Sequence, residues 1–574
     1  MTGRGLVALL LAVLPMTACA SIPESSDPVA VWPMEEGSSP VSIKPPPKGV
    51  DPLDIVRRFV DSGATPESDY EAGRLHLTDA ARRAWRPSNS LMIVDDVDTI
   101  PVPPVPNQPA NVQLVSLQAD KVGHLRPDSS FAPDSGPYQV QLRVERDAEG
   151  QWRIASPPPE MVLSRSSFKQ DYMQVPIYFV DHERSRVVPD LRYVVSKPES
   201  TLPRRVIELL TAGPSEGFRG AMYSELPPGT DPKTNVSEAD DAALVVNFSE
   251  LGDLPPETRR LIAAQVVLSL QTVSKARVRL QEEGVPLLPD KQELRPTDVV
   301  SYESANAVNP ELPGLAVADE RLYALDRPAR PIPGPAGAGA QYKVVEAAQS
   351  ADGGQLAAVT RTAGGVELRV GPYGEAMPAV GLPGNFMSRP SWRGENEVWA
   401  VVNGRDVYRA VRNGGSWTAA PVDISEFGRV GDIKELRLSR DGTRAAAVVD
   451  GRLVVAGVVE KDGRFALRHP VQLGEYTNIT GVDWLTDRSL VATTDSNSSP
   501  VMKVSVDGFE WNEYASANLN QPVTAVTVGP GRRVVVSDQS GLWEAGESDP
   551  VWSLLDGWQL LPGQSGGSIP FFPG

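Results

Sequence analysis

Of 574 residues only one is a cysteine, Cys19, in the stretch LPMTACAS. One thiol cannot form an intramolecular disulfide, and an exported protein of this size does not need one to build its cores. Its position near the start suggests that it marks where the mature chain begins and what that chain is attached to. Other spellings could do chemistry. Gly213-Pro214-Ser215-Glu216-Gly217 reads G-x-S-x-G, but a nucleophile elbow needs a strand before the serine and a helix after it. Here a helix precedes and a loop follows, so the motif reads as a helix C-terminus. Gly563-Gln564-Ser565-Gly566-Gly567 has the same spelling in a Gly-rich tail that no helix can follow, and reads as a flexible end. The four histidines, His76, His124, His182 and His469, fall in three domains, and no pair has H-x-x-x-H spacing. Asp181-His182-Glu183 could offer ligands, yet three consecutive residues rarely converge on one ion. With Arg184 they read as a solvated turn. No catalytic residue, metal or cofactor is expected.

The elements that would position Cys19 follow from its flanks. Arg4 supplies a minimal positive start, and Leu6 to Leu14 is an unbroken apolar run. That run is too short to cross a bilayer of about 30 Å but suits a signal-peptide core. Thr17, Ala18 and Cys19 resemble the bacterial lipoprotein signal, in which small residues precede a cysteine that receives diacylglycerol on its sulfur before cleavage. Met16 stands where Leu is usual. Ala18-Cys19-Ala20 also spells A-x-A, and cleavage after Ala20 would release a soluble protein; the placement of the lone cysteine favours lipidation at Cys19. Residues 1–18 are then the signal peptide. Residues 19–50, rich in Pro and Ser and without apolar periodicity, form a tether spanning roughly 30 Å root-mean-square if flexible.

A formal charge of −18, without a basic run, argues against nucleic acid as a partner. Residues 51–165 read as a small α+β domain. DPLDIVRRFVDSG has Asp51 as N-cap, Pro52 at the first helical position, a helically spaced apolar face and Gly63 at the exit. A second helix is expected in SDYEAGRLHLTDAARRAW, then strands in VQLVSLQA, PYQVQLRVERD and QWRIASPP. The order resembles the cone-shaped fold of the nuclear transport factor two type.

Residues 170–290 read as a second α+β domain. A strand VPIYFVD precedes the helix LPRRVIELLTAGP, an LPPGT turn and the strand ALVVNFSEL. A longer helix, PETRRLIAAQVVLSLQTV, follows with Leu261, Ile262, Val266 and Val273 largely on one face, then the strand KARVRLQ. This series resembles the GerMN domain.

From 313 to 562 the text repeats. SADGGQLAAV, SWRGENEVWAV, SRDGTRAAAV, DWLTDRSLVAT and VGPGRRVVVS begin at 350, 391, 439, 483 and 528. Each is followed by a turn and a third apolar segment, and a period near 45 built from strands marks a β-propeller. About six blades are expected, with LAVADERLYALD at 315–326 starting one that VWSLLDGWQLLPG would complete; residues 563–574 read as a flexible tail. Asp352-Gly353 and Asp441-Gly442 share one repeat position. They could bind calcium or ligand, but Asp-Gly is the expected hairpin pair. Trp392, Trp399, Trp484 and Trp511 could line a ligand surface, but fit better as wedges between blades.

Two small α+β domains followed by an all-β propeller, behind a lipoprotein signal, resemble the actinobacterial lipoprotein LpqB family over essentially the whole mature chain. The resemblance implies a lipid-anchored protein on the outer face of the cell membrane. It also implies interaction with the extracellular domain of a membrane sensor histidine kinase of the MtrB type, whose two-component pathway is linked to cell division and cell-wall homeostasis. It carries over no catalytic residue; only Cys19 maps onto a functional position. The alternatives are a cell-envelope ligand-binding protein, holding a cell-wall ligand in the cone of the first domain, and a propeller-based envelope hydrolase. The hydrolase would require acidic or His residues from several blades to converge on the propeller axis.

Overall fold

The computed structural model describes residues 45–62, 70–88, 90–230, 236–303, 309–325, 329–427, 431–547, 551–559 and 567–574. The signal peptide, Cys19 and nearly all of the tether lie outside these residues, as do Gly63 and Ser565.

Asp51 caps the helix Pro52–Val60, its carboxylate accepting from the Leu53 and Asp54 N–H groups. Ile55, Val56, Phe59 and Val60 are buried against a sheet. Its strands lie in the order Trp152–Ile154, Pro137–Arg146, Val112–Leu125, Leu91–Pro101, Met161–Ser164, and Phe131–Pro133 pairs with 112–125. The single helix expected in SDYEAGRLHLTDAARRAW is instead two short ones, Glu71–Arg74 and Asp79–Ala84. Between them the chain pairs with the sheet edge: Thr78 N–H donates to the Ile154 carbonyl and Ile154 N–H to that of His76. Thr78 then caps the second helix with its hydroxyl. Satisfied edge hydrogen bonds outweigh an uninterrupted helix here.

The second domain follows without a linker. Helix Arg165–Asp171, capped by Ser164, runs directly into the strand Tyr172–Val180, which pairs antiparallel with Val187–Val195. Leu244–Phe248 and Val278–Glu282 pair in parallel, with the helix Pro256–Leu270 as their crossover. That helix does not present one apolar face as its sequence suggested; every residue from Leu261 to Leu270 is buried. Its two polar residues there are satisfied by the neighbouring strand. Gln265 Nε2 donates to the Tyr178 carbonyl at 3.1 Å, and Ser269 Oγ accepts from Tyr178 N–H at 2.8 Å.

The remaining chain forms six four-stranded sheets, the blades of a propeller. The second strands of blades two to six begin at 355, 397, 444, 489 and 533, and the third strands at 365, 406, 452, 501 and 541, as the repeat predicts. Blade one corrects the expected tail. Its inner strand is Ile569–Phe571 from the C-terminus, paired with Leu315–Ala318, and Phe571 and Phe572 are buried. VWSLLDGWQ does not complete blade one; Ser553–Gln559 is the outer strand of blade six. Pairing the first and last strands of the propeller region removes the open edges that an unclosed ring would expose. Among the described residues no helix is long and apolar enough to cross a membrane.

Candidate functional site: the domain junction and the propeller axis

Ser215 sits after the helix Leu202–Ala212, and its surroundings are those of a structural clamp. Its N–H and Oγ donate to Asp190 at 2.7 and 3.0 Å. Asp190 is also paired with the fully buried Arg192 at 2.7 Å, whose Nη1 donates to the Asp128 carbonyl of the first domain at 2.6 Å. The Asp128 carboxylate accepts from Glu216 N–H at 3.0 Å. Burial acts to raise the Asp128 pKa, but the Ser130 hydroxyl, the Glu216 and Ser130 N–H groups and Arg192 outweigh it and hold it below its ordinary value. The carboxylate that Ser215 donates to is thus itself paired with arginine, which makes it a brace for the junction, not a free base beside a nucleophile.

The histidines stay apart. His76 Nδ1 lies 3.0 Å from the Ala72 carbonyl and His124 Nε2 3.1 Å from Asp134, while His469 N–H donates to Glu426 at 2.6 Å. In the turn 181–184, Asp181 accepts from Ser185 and Arg186 N–H groups and so closes the hairpin. The turn is not merely solvated: His182 Nε2 meets Glu460 of the propeller at 2.6 Å. No cluster of His, Cys, Asp and Glu among the described residues could hold a metal ion.

Both Asp-Gly pairs are hairpin turns. Asp352 accepts from Ser350 Oγ and Gly354 N–H; Asp441 accepts from Ser439 Oγ and Thr443 N–H, with Gly353 and Gly442 at positive φ. The second turn also joins domains, because Arg444, paired with Asp441 at 2.7 Å, donates to the Pro189 carbonyl at 3.2 Å. Trp392, Trp399 and Trp484 are buried and Trp511 is partly so. Trp484 Nε1 donates to the Arg437 carbonyl of the preceding blade at 2.9 Å, which is a wedge between blades.

Another Asp-Gly turn, Asp507-Gly508, to which the sequence analysis gives no role, holds the three domains together. Phe509 inserts among Phe131, Phe168 and Tyr193, with ring centroids 5.0, 5.2 and 5.5 Å away. Tyr193 donates to Asp507 at 2.8 Å. Burial raises the pKa of both groups.

The propeller axis gathers charge from several blades. Arg389 in blade three lies 3.2 Å from Glu435 in blade four and 4.0 Å from Asp483 in blade five, and Arg437 lies 3.6 Å from Asp483. Glu435 also accepts from Val482 N–H at 3.2 Å. Asp483 accepts from the Thr527 hydroxyl and Val528 N–H at 3.0 and 3.1 Å. Burial works to raise the Asp483 pKa, but Arg437, Arg389 and Arg440 hold it below its ordinary range. Burial, then repulsion by Arg389, pushes Arg437 down to about 10. Glu346 of blade two faces the same cavity, and burial raises its pKa to about 7. The sequence did carry a signal for the arginines. Arg389 and Arg437 each fall two residues before the serine opening their repeat, where other repeats have Ala348, Gly481 and Val526.

These features define a modular class: a closed six-bladed propeller braced on two α+β domains through shared buried contacts. Residues 320–573 match the family described as lipoprotein LpqB beta-propeller domain, and residues 45–169 match the lipoprotein LpqB N-terminal domain. Residues 176–288 match the family described as sporulation and spore germination. The chain is similar to proteins named lipoprotein LpqB along nearly its whole length. It is 30% identical to that of Rhodococcus jostii, over 99% of this chain and 97% of the relative. For Mycolicibacterium smegmatis the identity is 31%, over 99% and 98%, and for Mycobacterium tuberculosis 30%, over 97% of each. The chain belongs to the LpqB lipoprotein family.

Proposed function

We propose that this is a lipid-anchored, extracytoplasmic, non-enzymatic interaction protein. It is acylated at Cys19 and modulates a membrane sensor histidine kinase of the MtrB type by binding that kinase's extracellular domain. Membership of the lipoprotein family along the full chain carries the reading. Anchoring both partners in one membrane raises effective concentration, so a modest interface is enough. Each buried methylene contributes about 0.8 kcal/mol, and two acyl chains hold the protein nearly permanently. The arginine-paired carboxylates at the axis support a non-enzymatic role, because Glu435 and Asp483 are already committed to ion pairs and backbone donors.

Two experiments test the two halves. Cys19→Ser is expected to move the protein from the membrane fraction to the soluble fraction; retention in the membrane fraction would refute the anchor. Pull-down with the kinase's extracellular domain needs all three domains together, because Phe168, Tyr193 and Phe509 form one core. Failure of the intact chain to bind at micromolar concentration would reject the partner. A second reading, a cell-envelope ligand-binding protein, is favoured by the cavity at the propeller axis.

A further inference from the structure

We infer that the mouth of the propeller axis is a binding site for a small zwitterion of the amino-acid class. The inference deepens the ligand-binding reading and does not depend on the kinase partner. The cavity holds about 140 Å³. That is room for four or five waters at the ~30 Å³ each occupies in the liquid, or one short solute.

Three observations specify the ligand. The first is charge balance. Of the residues that line the cavity, Glu346 and Glu435 face Arg389 and Lys434, two carboxylates against two cations. A lone anion or cation would leave an uncompensated charge in a partly desolvated site, whereas a zwitterion leaves none.

The second is unspent bonding capacity of both signs. Arg389 is nine-tenths or more buried, and its Nη2 is ion-paired with Glu435 at 3.2 Å, yet its Nε has no hydrogen-bond acceptor among the described residues. Lys434, exposed at the mouth, has no ion pair among the described residues, and Glu346 accepts no hydrogen bond from any of them. An unmet buried donor is costly, and a ligand that brings an acceptor to Arg389 and a donor to the open Glu346 carboxylate uses both. A ligand carboxylate meets Arg389 and Lys434, and its ammonium meets Glu346. The Thr480 hydroxyl donates to Thr493 at 2.9 Å and keeps a lone pair for the ammonium.

The third is the rim. Phe386 is 44% exposed, a rare exposure among large apolar side chains here, and it borders this cavity. It offers contact to a short apolar side chain beside the charged head.

The test is calorimetric titration of the full-length protein in detergent with glycine, L-alanine and D-alanine. N-acetylalanine, which lacks the cation, and alanine amide, which lacks the carboxylate, serve as controls. At least one amino acid is expected to bind saturably, with each single-charge analogue weaker by about tenfold or more, as for loss of a charged hydrogen bond. Glu346→Gln and Lys434→Met are each expected to weaken binding, and both should fold, since neither side chain makes a hydrogen bond or salt bridge among the described residues. No saturable binding by any amino acid at about 20 mM would overturn the inference. So would equal binding of N-acetylalanine, or unchanged affinity in a folded Glu346→Gln variant. None of these results would touch the kinase reading, which the pull-down decides separately.

Discussion

At the scale of single residues, the informative groups are buried charges whose partners lie far away in the chain. Glu346 is one. Its pKa rises from an ordinary 4.5 to about 7, through burial first and the nearby Glu435 carboxylate, against the pull of Arg389 and Arg437. A carboxyl that holds its proton more tightly when folded contributes stability fully below about pH 4.5. That contribution is lost progressively until about pH 7, by at most about 3 kcal/mol. Glu346→Gln should remove this slope, so the difference in urea midpoint between variant and parent should widen from pH 4.5 to 7 and then level. A constant difference across that range would contradict the shift. Arg192 is the second. It is fully buried between Asp190, the Asp128 carbonyl and the Gly213 carbonyl. Arg192→Ala should cost about 3–5 kcal/mol by leaving Asp190 charged and buried without its cation. Thermal melts would show that loss, and Arg192→Lys should recover only part of it, because Lys lacks the forked donors. Nothing near Asp190 or Arg192 in the sequence marks them, because their partners lie at Asp128 and Ser215.

At the scale of elements, sequence patterns were most legible where they repeat. The five aligned segments starting at 350, 391, 439, 483 and 528 placed the second and third strands of five blades, because each blade buries alternate residues in the same way. Patterns failed where a neighbour decides. No strand is among those expected in LMIVDDVDTIP, with its acidic second half, yet Leu91–Pro101 is a strand paired on both sides. Its register slips between Asp95 and Asp98, which lets the carboxylates face outward. The closing strand has only three residues and follows a Gly-rich stretch, so nothing local distinguishes it from a tail. The hairpin turn at 505–510 is the element on which the domain junction depends. Removing its aromatic ring by Phe509→Ala should cost about 3–5 kcal/mol, as for other buried Phe truncations. The loss should appear first as faster proteolysis at the junction, since the propeller's own blades do not need that ring. Uniform destabilisation without new cleavage near residues 165–195 would show that the ring serves only the propeller.

At the scale of the whole molecule, a ring of blades is stable only if its two ends meet, and here one buried cation and two aromatic rings join them. Arg389 Nη1 donates to the carbonyls of Val526 and Pro570 at 3.2 and 3.3 Å, tying blade three to the last blade and to the closing strand. Phe571 lies opposite Leu315 in that strand. The Phe572 ring lies so close to Gly314 and Gly529 that a Cβ on either would come within 2.5 and 2.8 Å of it. Those two glycines are therefore required by close approach, and the ring fills the space they leave. Ending the chain after Ser568 removes both rings, uncovers the edge of Leu315–Ala318 and leaves Arg389 without its Pro570 acceptor. Each lost phenylalanine alone is worth about 3–5 kcal/mol, and an uncovered strand edge pairs readily with a second copy. The truncated protein should therefore melt at lower temperature and run as dimers or larger species by light scattering. Phe572→Ala, which keeps the strand paired, should lose stability but remain monomeric. A truncated chain that stays monomeric with an unchanged melting point would mean that the propeller is closed by something other than its C-terminal strand.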